Sequence, residues 1–121
     1  MSKKILVVED TEDNRQILRD LLGMAGYERL EAHDGAEGVA KAAEHKPDLI
    51  LMDIQMPVMD GYEATRRIKA NPDLKAIPIV AVTSYALSGD EQKARAAGCG
   101  AYIAKPYSPR QMLAKVREIL G

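Results

Sequence analysis

Five short apolar runs punctuate this chain, near residues 5–8, 29–32, 49–53, 79–83 and 101–104, and an amphipathic segment follows each of them. Runs of this length rich in Val, Ile and Leu read as buried strands, whereas apolar residues spaced three and four apart read as helices. Strict alternation of the two leaves few solutions. It predicts an α/β fold in which the strands lie parallel and helices cover both faces of the sheet. Punctuation supports the division. Ser108 and Pro109 precede the apolar stripe Met112, Leu113, Val116, Ile119 and Leu120, where serine can cap and proline can occupy the first turn. Ser88 with Glu91 offers a capping box, Asp34-Gly35 and Asp60-Gly61 mark turns, and Asn71-Pro72 and Ile77-Pro78 bracket the loop before the fourth strand.

With 121 residues the chain is one domain, long enough to bury roughly two thirds of the surface its unfolded form exposes. Lys and Arg total 17 against 18 Asp and Glu, so no basic excess points to nucleic acid. Cys99 is the only cysteine, which excludes an internal disulfide and a cysteine metal cage and suits a reducing compartment. A cytoplasmic protein is expected, because no apolar stretch approaches the roughly 20 residues of a membrane span and no secretory signal opens the chain.

Right-handed crossovers bring the loops that follow the strands to one edge of such a sheet, where ligands bind. The residues of reactive type fall there. Glu9 and Asp10 end the first strand, Asp53 the third and Thr83 the fourth, and Lys105 follows the fifth. Three neighbouring carboxylates repel and raise one another's pKa unless a cation neutralises them, so Glu9, Asp10 and Asp53 form a candidate site for a hard divalent ion. Capping of the helix that starts at Thr11-Glu12-Asp13 is a competing role for Glu9 and Asp10. Met52, Met56 and Met59 read as core and loop filling, His33 and His45 lack a ligand pattern, and His45 falls near a helix end. Cys99 reads as a small turn or core residue and Arg66-Arg67 as a solvated helical face.

Taken together, residues 5–10 (ILVVED), 51–61 (LMDIQMPVMDG), Val82-Thr83 and 101–106 (AYIAKP) resemble the receiver domain of two-component response regulators. The resemblance covers essentially the whole chain. Residues 86–91 and 98–103 look most like single-domain regulators of the DivK type and receivers attached to hybrid kinases. The resemblance implies a five-stranded, doubly wound, flavodoxin-like sheet of order 2-1-3-4-5 with five helices, spanning residues 1–121 without an output domain. It implies phosphorylation of Asp53 by a kinase or phosphotransfer histidine, with Mg2+ held by Glu9, Asp10, Asp53 and the backbone carbonyl of Gln55, Glu9 often acting through water. It further implies a phosphoryl contact from Lys105, a cis Lys105-Pro106 bond, and a switch in which Thr83 shifts and the Tyr102 ring turns inward. Such a chain catalyses its own phosphorylation and dephosphorylation and is not a conventional turnover enzyme.

Partners follow by the same resemblance: a sensor histidine kinase or histidine phosphotransfer protein near Asn14 and Ile17, and a downstream protein at the fourth helix, fifth strand and fifth helix, including Tyr85, Tyr102 and Tyr107. Gln55 and Tyr85 flank the phosphoryl site and are expected to control water access. An aspartyl-phosphate phosphatase would need a second acid where Gln55 stands, and a flavin protein would need a phosphate loop where Glu9-Asp10 would repel it. Because the last helix ends at Gly121, the chain is expected to be a stand-alone regulator or an excised receiver.

Overall fold

Each apolar run forms a strand and each periodic segment a helix. The computed structural model describes residues 3–54, 56, 59–83, 90–105 and 107–120. Along the chain these form β1 (Lys4–Val8), α1 (Glu12–Met24), β2 (Glu28–Ala32), α2 (Gly35–His45), β3 (Leu49–Asp53), α3 (Gly61–Ala70), β4 (Ile79–Thr83), α4 (Asp90–Ala97), β5 (Ala101–Ala104) and α5 (Pro109–Leu120). All strand pairs are parallel, in the order β2-β1-β3-β4-β5. The order reverses between β1 and β3, so the loops leaving these strands diverge and open a crevice at their carboxyl ends.

Successive residues of each strand serve opposite faces. Ile5, Val7, Leu49, Leu51, Val80 and Val82 pack with Leu18 and Leu22 of α1 and with Met112 and Val116 of α5. Leu6, Val8, Ile50, Met52, Ile79 and Ala81 pack with Ala42 of α2, Ala64 and Ile68 of α3, and Ala94 of α4. Burying one such Val, Leu or Ile side chain contributes about 1.5–3 kcal/mol. β3 and β4 are buried at every position, which makes them rigid supports for the polar residues at their ends.

The local signals resolve into caps more often than turns. Asp34 and Asp60, expected in turns, are helix N-caps that accept from the backbone N–H of Glu37 at 2.7 Å and Glu63 at 2.9 Å. Ser108 accepts from the Gln111 N–H at 3.1 Å, and Gln111 accepts from the Ser108 N–H at 2.8 Å, a reciprocal box at the start of α5. The expected Ser88 box lies outside the described residues. Thr11 is the N-cap of α1 and makes no side-chain cap bond. Instead of capping the first turn, Glu9 takes the N–H of Thr11 itself, at 3.4 Å. Met52 and Met56 are buried, with Met59 against them, and Cys99 is a core residue beside the Thr65 hydroxyl. Arg66 and Arg67 pair with Glu63 on an exposed face. His45 is the last residue of α2, and His33 pairs with Glu37. No helix among the described residues is long and apolar enough to cross a membrane.

Candidate functional site

Strand register builds the site. Val8 pairs with Met52, so Glu9 stands next to Asp53; Asp53 pairs with Val82, and Thr83 with Ala104, so Thr83 and Lys105 continue the same rim. One carboxylate oxygen from each of Glu9, Asp10 and Asp53 lies within 4.8 Å of the others. Glu9 and Asp53 are buried, whereas Asp10 is exposed at the mouth. The Lys105 ammonium sits 3.1 Å from Glu9 Oε1 and 3.7 Å from Asp53 Oδ1, and its backbone N–H donates to the Thr83 carbonyl at 2.6 Å. All five residues singled out at the rim are therefore brought together.

The repulsion expected of three carboxylates is distributed unevenly. Burial pushes Glu9 up, but hydrogen bonds with Asp53 and Asp10 and the Lys105 ammonium outweigh it and hold Glu9 at about 2. Asp10 moves the other way, raised by burial and by the adjacent Glu9. Lys105 is thus an internal cation, which offsets the repulsion that the sequence alone assigns to a metal. Tyr107, expected on the output surface, is partly buried and packs against the layer between the sheet, α1 and α5. Its hydroxyl is pushed up to about 12 by burial and by the charges of Glu9 and Asp53.

An all-oxygen donor set of three acids, two buried and one open to solvent, fits a hard cation that keeps several waters, the preference of Mg2+. Gln55, Tyr85 and the Lys105-Pro106 bond lie outside the described residues. Thr83 is buried at the end of β4, and Tyr102 is half-buried on β5, beside a groove shared with Gln111, Ala114 and Lys115 of α5. On α1, Leu18 and Leu22 face the core while Ile17 is 54% exposed, which places the surplus apolar surface on the expected docking helix.

Two further residues support the site, one at the end of the 51–61 segment and one outside every motif. Gly61 opens α3 directly under the end of β3, where a Cβ would stand 2.3 Å from the Asp53 carbonyl oxygen. The Asp-Gly pair predicts a turn but not this close approach. Arg15 donates to the Glu9 carbonyl at 2.6 Å while pairing with Glu12. Its only sequence signal is the Glu12/Arg15 spacing on one helix face.

A doubly wound sheet with an acidic crevice at its switch point and a lysine at the next rim defines a CheY-like α/β domain. The chain belongs to the response regulator receiver domain family, whose model matches residues 5–117. It is 44% identical over 121 residues to the polar-differentiation response regulator DivK of Brucella anthropi, covering 100% of this chain and 98% of that protein. Among solved structures, the chemotaxis protein CheY4 of Vibrio cholerae superposes with a TM-score of 0.94 at 32% identity, covering 98% of this chain and 99% of that one. The receiver domain of the sensor histidine kinase PA1611 from Pseudomonas aeruginosa PAO1 gives 0.92 at 36% identity, covering 100% and 99%; it has a magnesium ion coordinated in its active-site cleft.

Proposed function

We propose that this chain is a phosphorylation-dependent signalling switch in which Asp53 accepts a phosphoryl group from a histidine of a kinase or phosphotransfer protein. The observation that carries the reading is the Lys105 ammonium, 3.7 Å from the buried Asp53 carboxylate inside a cluster of three acids. An Asp53 oxygen bonds to phosphorus as the phosphorus–nitrogen bond breaks, and that electron pair returns to the imidazole ring. The product is an acyl phosphate. Glu9, Asp10 and Asp53, with the Gln55 carbonyl by family resemblance, would hold Mg2+, which when bound neutralises charge between an anionic nucleophile and anionic phosphoryl oxygens. The magnesium in the PA1611 receiver supports this assignment.

Lys105 turns from the carboxylates to the phosphoryl oxygens, and the Thr83 hydroxyl donates to one of them. The Lys105 N–H on the Thr83 carbonyl ties these two responses together. A phosphoryl group adds about 1.5–2 negative charges, and a complete shift between two states needs a differential interaction of about 5.5 kcal/mol. The readout would pass through Thr83 and Tyr102 to the α4-β5-α5 surface, where a downstream protein binds, while the kinase or phosphotransfer protein docks near Asn14 and Ile17. The chain acts on its own aspartate and is not a conventional turnover enzyme. A cytoplasmic site of action suits these partners. Incubation with Mg2+ and a small phosphodonor, followed by intact-mass measurement, tests the reading. A phosphoryl adduct on the wild type and none on Asp53→Asn is expected; no adduct, or one that ignores the substitution, overturns it.

A further inference from the structure

The turn that carries Glu9 and Asp10 is clamped between β2 and α1, and Arg15 is the α1 jaw of the clamp. On one side the Glu9 N–H donates to the Ala32 carbonyl of β2 at 3.0 Å. On the other, the Glu9 carbonyl, which belongs to the peptide leading into Asp10, accepts from Arg15 Nη1 at 2.6 Å. The rest of the guanidinium is committed too: Nη2 bonds Glu12 Oε2 at 2.6 Å, and Nε faces Glu31 Oε1 of β2 at 3.6 Å. Glu31 is itself fixed by a two-pronged pair with Arg19, at 2.6 and 2.7 Å. The Arg15 side chain is only 14% exposed while Glu12 is 61% exposed, so solvent screens the bond to the Glu9 carbonyl less than the pair with Glu12. With both polar groups of the Glu9 backbone held, the Glu9 side chain is directed to Lys105 and Asp53, and the Asp10 backbone starts from a fixed peptide.

We propose that Arg15 is a positioning residue for the cation site: it orients the Glu9-Asp10 turn through the Glu9 carbonyl without touching the cation. This rests on the proposed Mg2+-dependent function. Positioning and simple charge make opposite predictions. Removing a positive charge beside three carboxylates would tighten Mg2+ binding on Coulombic grounds, whereas releasing a clamp on two ligands weakens it, for supporting partners by about 10–100-fold.

The test is isothermal titration of the whole chain with MgCl2. Arg15→Met is expected to raise the Mg2+ Kd by about 10–100-fold. Arg19→Met removes the same charge and frees Glu31 but leaves the Arg15 bond to the Glu9 carbonyl in place, so its Kd is expected to rise less than that of Arg15→Met; a rise as large as that of Arg15→Met overturns the inference. Arg15→Lys keeps the charge but cannot serve the carbonyl, Glu12 and Glu31 together, so its Kd should lie between wild type and Arg15→Met. A wild-type or lower Kd in Arg15→Met overturns the inference. Circular dichroism in EDTA checks that each variant is folded; if Arg15→Met is not, Arg15→Lys decides, and an unchanged Kd there overturns the inference. Absence of Mg2+ binding in the wild type would overturn the proposed function and this inference with it.

Discussion

Gly61→Ala is a small change with a sign that the structure reverses. Gly61 opens α3 without a left-handed φ, so replacing it with alanine is expected on backbone grounds alone to stabilise by about 0.4–1 kcal/mol. The surroundings say otherwise. The new Cβ would lie 2.3 Å from the Asp53 carbonyl oxygen, 2.7 Å from Ile54 Cα and 2.9 Å from Ile54 Cδ1. A comfortable C···O approach is about 3.3 Å, so the end of β3 and the start of α3 must separate by about 1 Å. Overpacking of this kind costs about 1–3 kcal/mol, and the Gly61 N–H bond to the Ile54 carbonyl, 3.0 Å long, is strained by the same movement at about 1 kcal/mol. The balance is a net loss of about 2 kcal/mol, or roughly 8 °C in Tm for a domain of this size. Because the atom displaced belongs to Asp53, a shift of about 1 Å is also expected to slow phosphorylation from a small donor by about 100-fold. Thermal melting and the rate of adduct formation by intact mass check the two parts. A melting temperature at or above wild type, with phosphorylation unchanged, would refute the reasoning.

Other consequences follow from the charges and the backbone. Glu9 is held at about 2 against an ordinary 4.5 by its hydrogen bonds with Asp53 and Asp10 and by Lys105, so its ionised form favours the fold above pH 4.5 and that contribution is lost as pH falls toward 2; Glu9→Gln should flatten the acid limb of a metal-free stability profile. Asp10 is raised, so its ionisation works against the metal-free fold: Asp10→Asn should raise Tm slightly in EDTA at neutral pH while weakening Mg2+ binding by calorimetry. Lys105→Met removes the ammonium from the buried Glu9 and Asp53, and breaking such a pair costs about 3–5 kcal/mol; melting in EDTA should show a large loss that added Mg2+ partly restores. Lys46 caps α2 at φ 47, so Lys46→Gly should stabilise by about 1 kcal/mol and leave phosphorylation unchanged.

Topology was legible because strand-like runs and helical stripes alternate, even though β2 carries three charged residues in Glu28–Ala32, and a parallel sheet then dictates which ends share an edge. Glu9, Asp53, Thr83 and Lys105 could be placed together for that reason before any distance was known. What the pattern could not carry was direction. Asp34-Gly35 and Asp60-Gly61 look like turns because aspartate and glycine favour turns, yet aspartate also accepts from the open N–H groups of a helix, and both sites use it that way. Arg15 was invisible for a related reason: a lysine or arginine in an amphipathic helix is usually a solvated charge, and only three dimensions show that this one reaches back six residues to the Glu9 carbonyl.

The placement of Lys105 changes how the acidic cluster is understood. Three clustered carboxylates suggest a site that waits for a metal to relieve its repulsion, but the ammonium already lies on Glu9 and Asp53. On the proposed function, phosphorylation therefore exchanges one set of anionic partners for another. The cost of pulling Lys105 from buried carboxylates is offset only when a stronger anion forms at Asp53 and a second cation takes over Glu9 and Asp10. Either event alone leaves a buried charge poorly matched. The Lys105 N–H is bonded to the Thr83 carbonyl, so on the proposed function a shift of the lysine that reached its backbone would be passed to the β4–β5 edge, where the Tyr102 groove meets α5. On the proposed function, the same ion pair that steadies the unmodified site would make the response conditional on both metal and phosphoryl group.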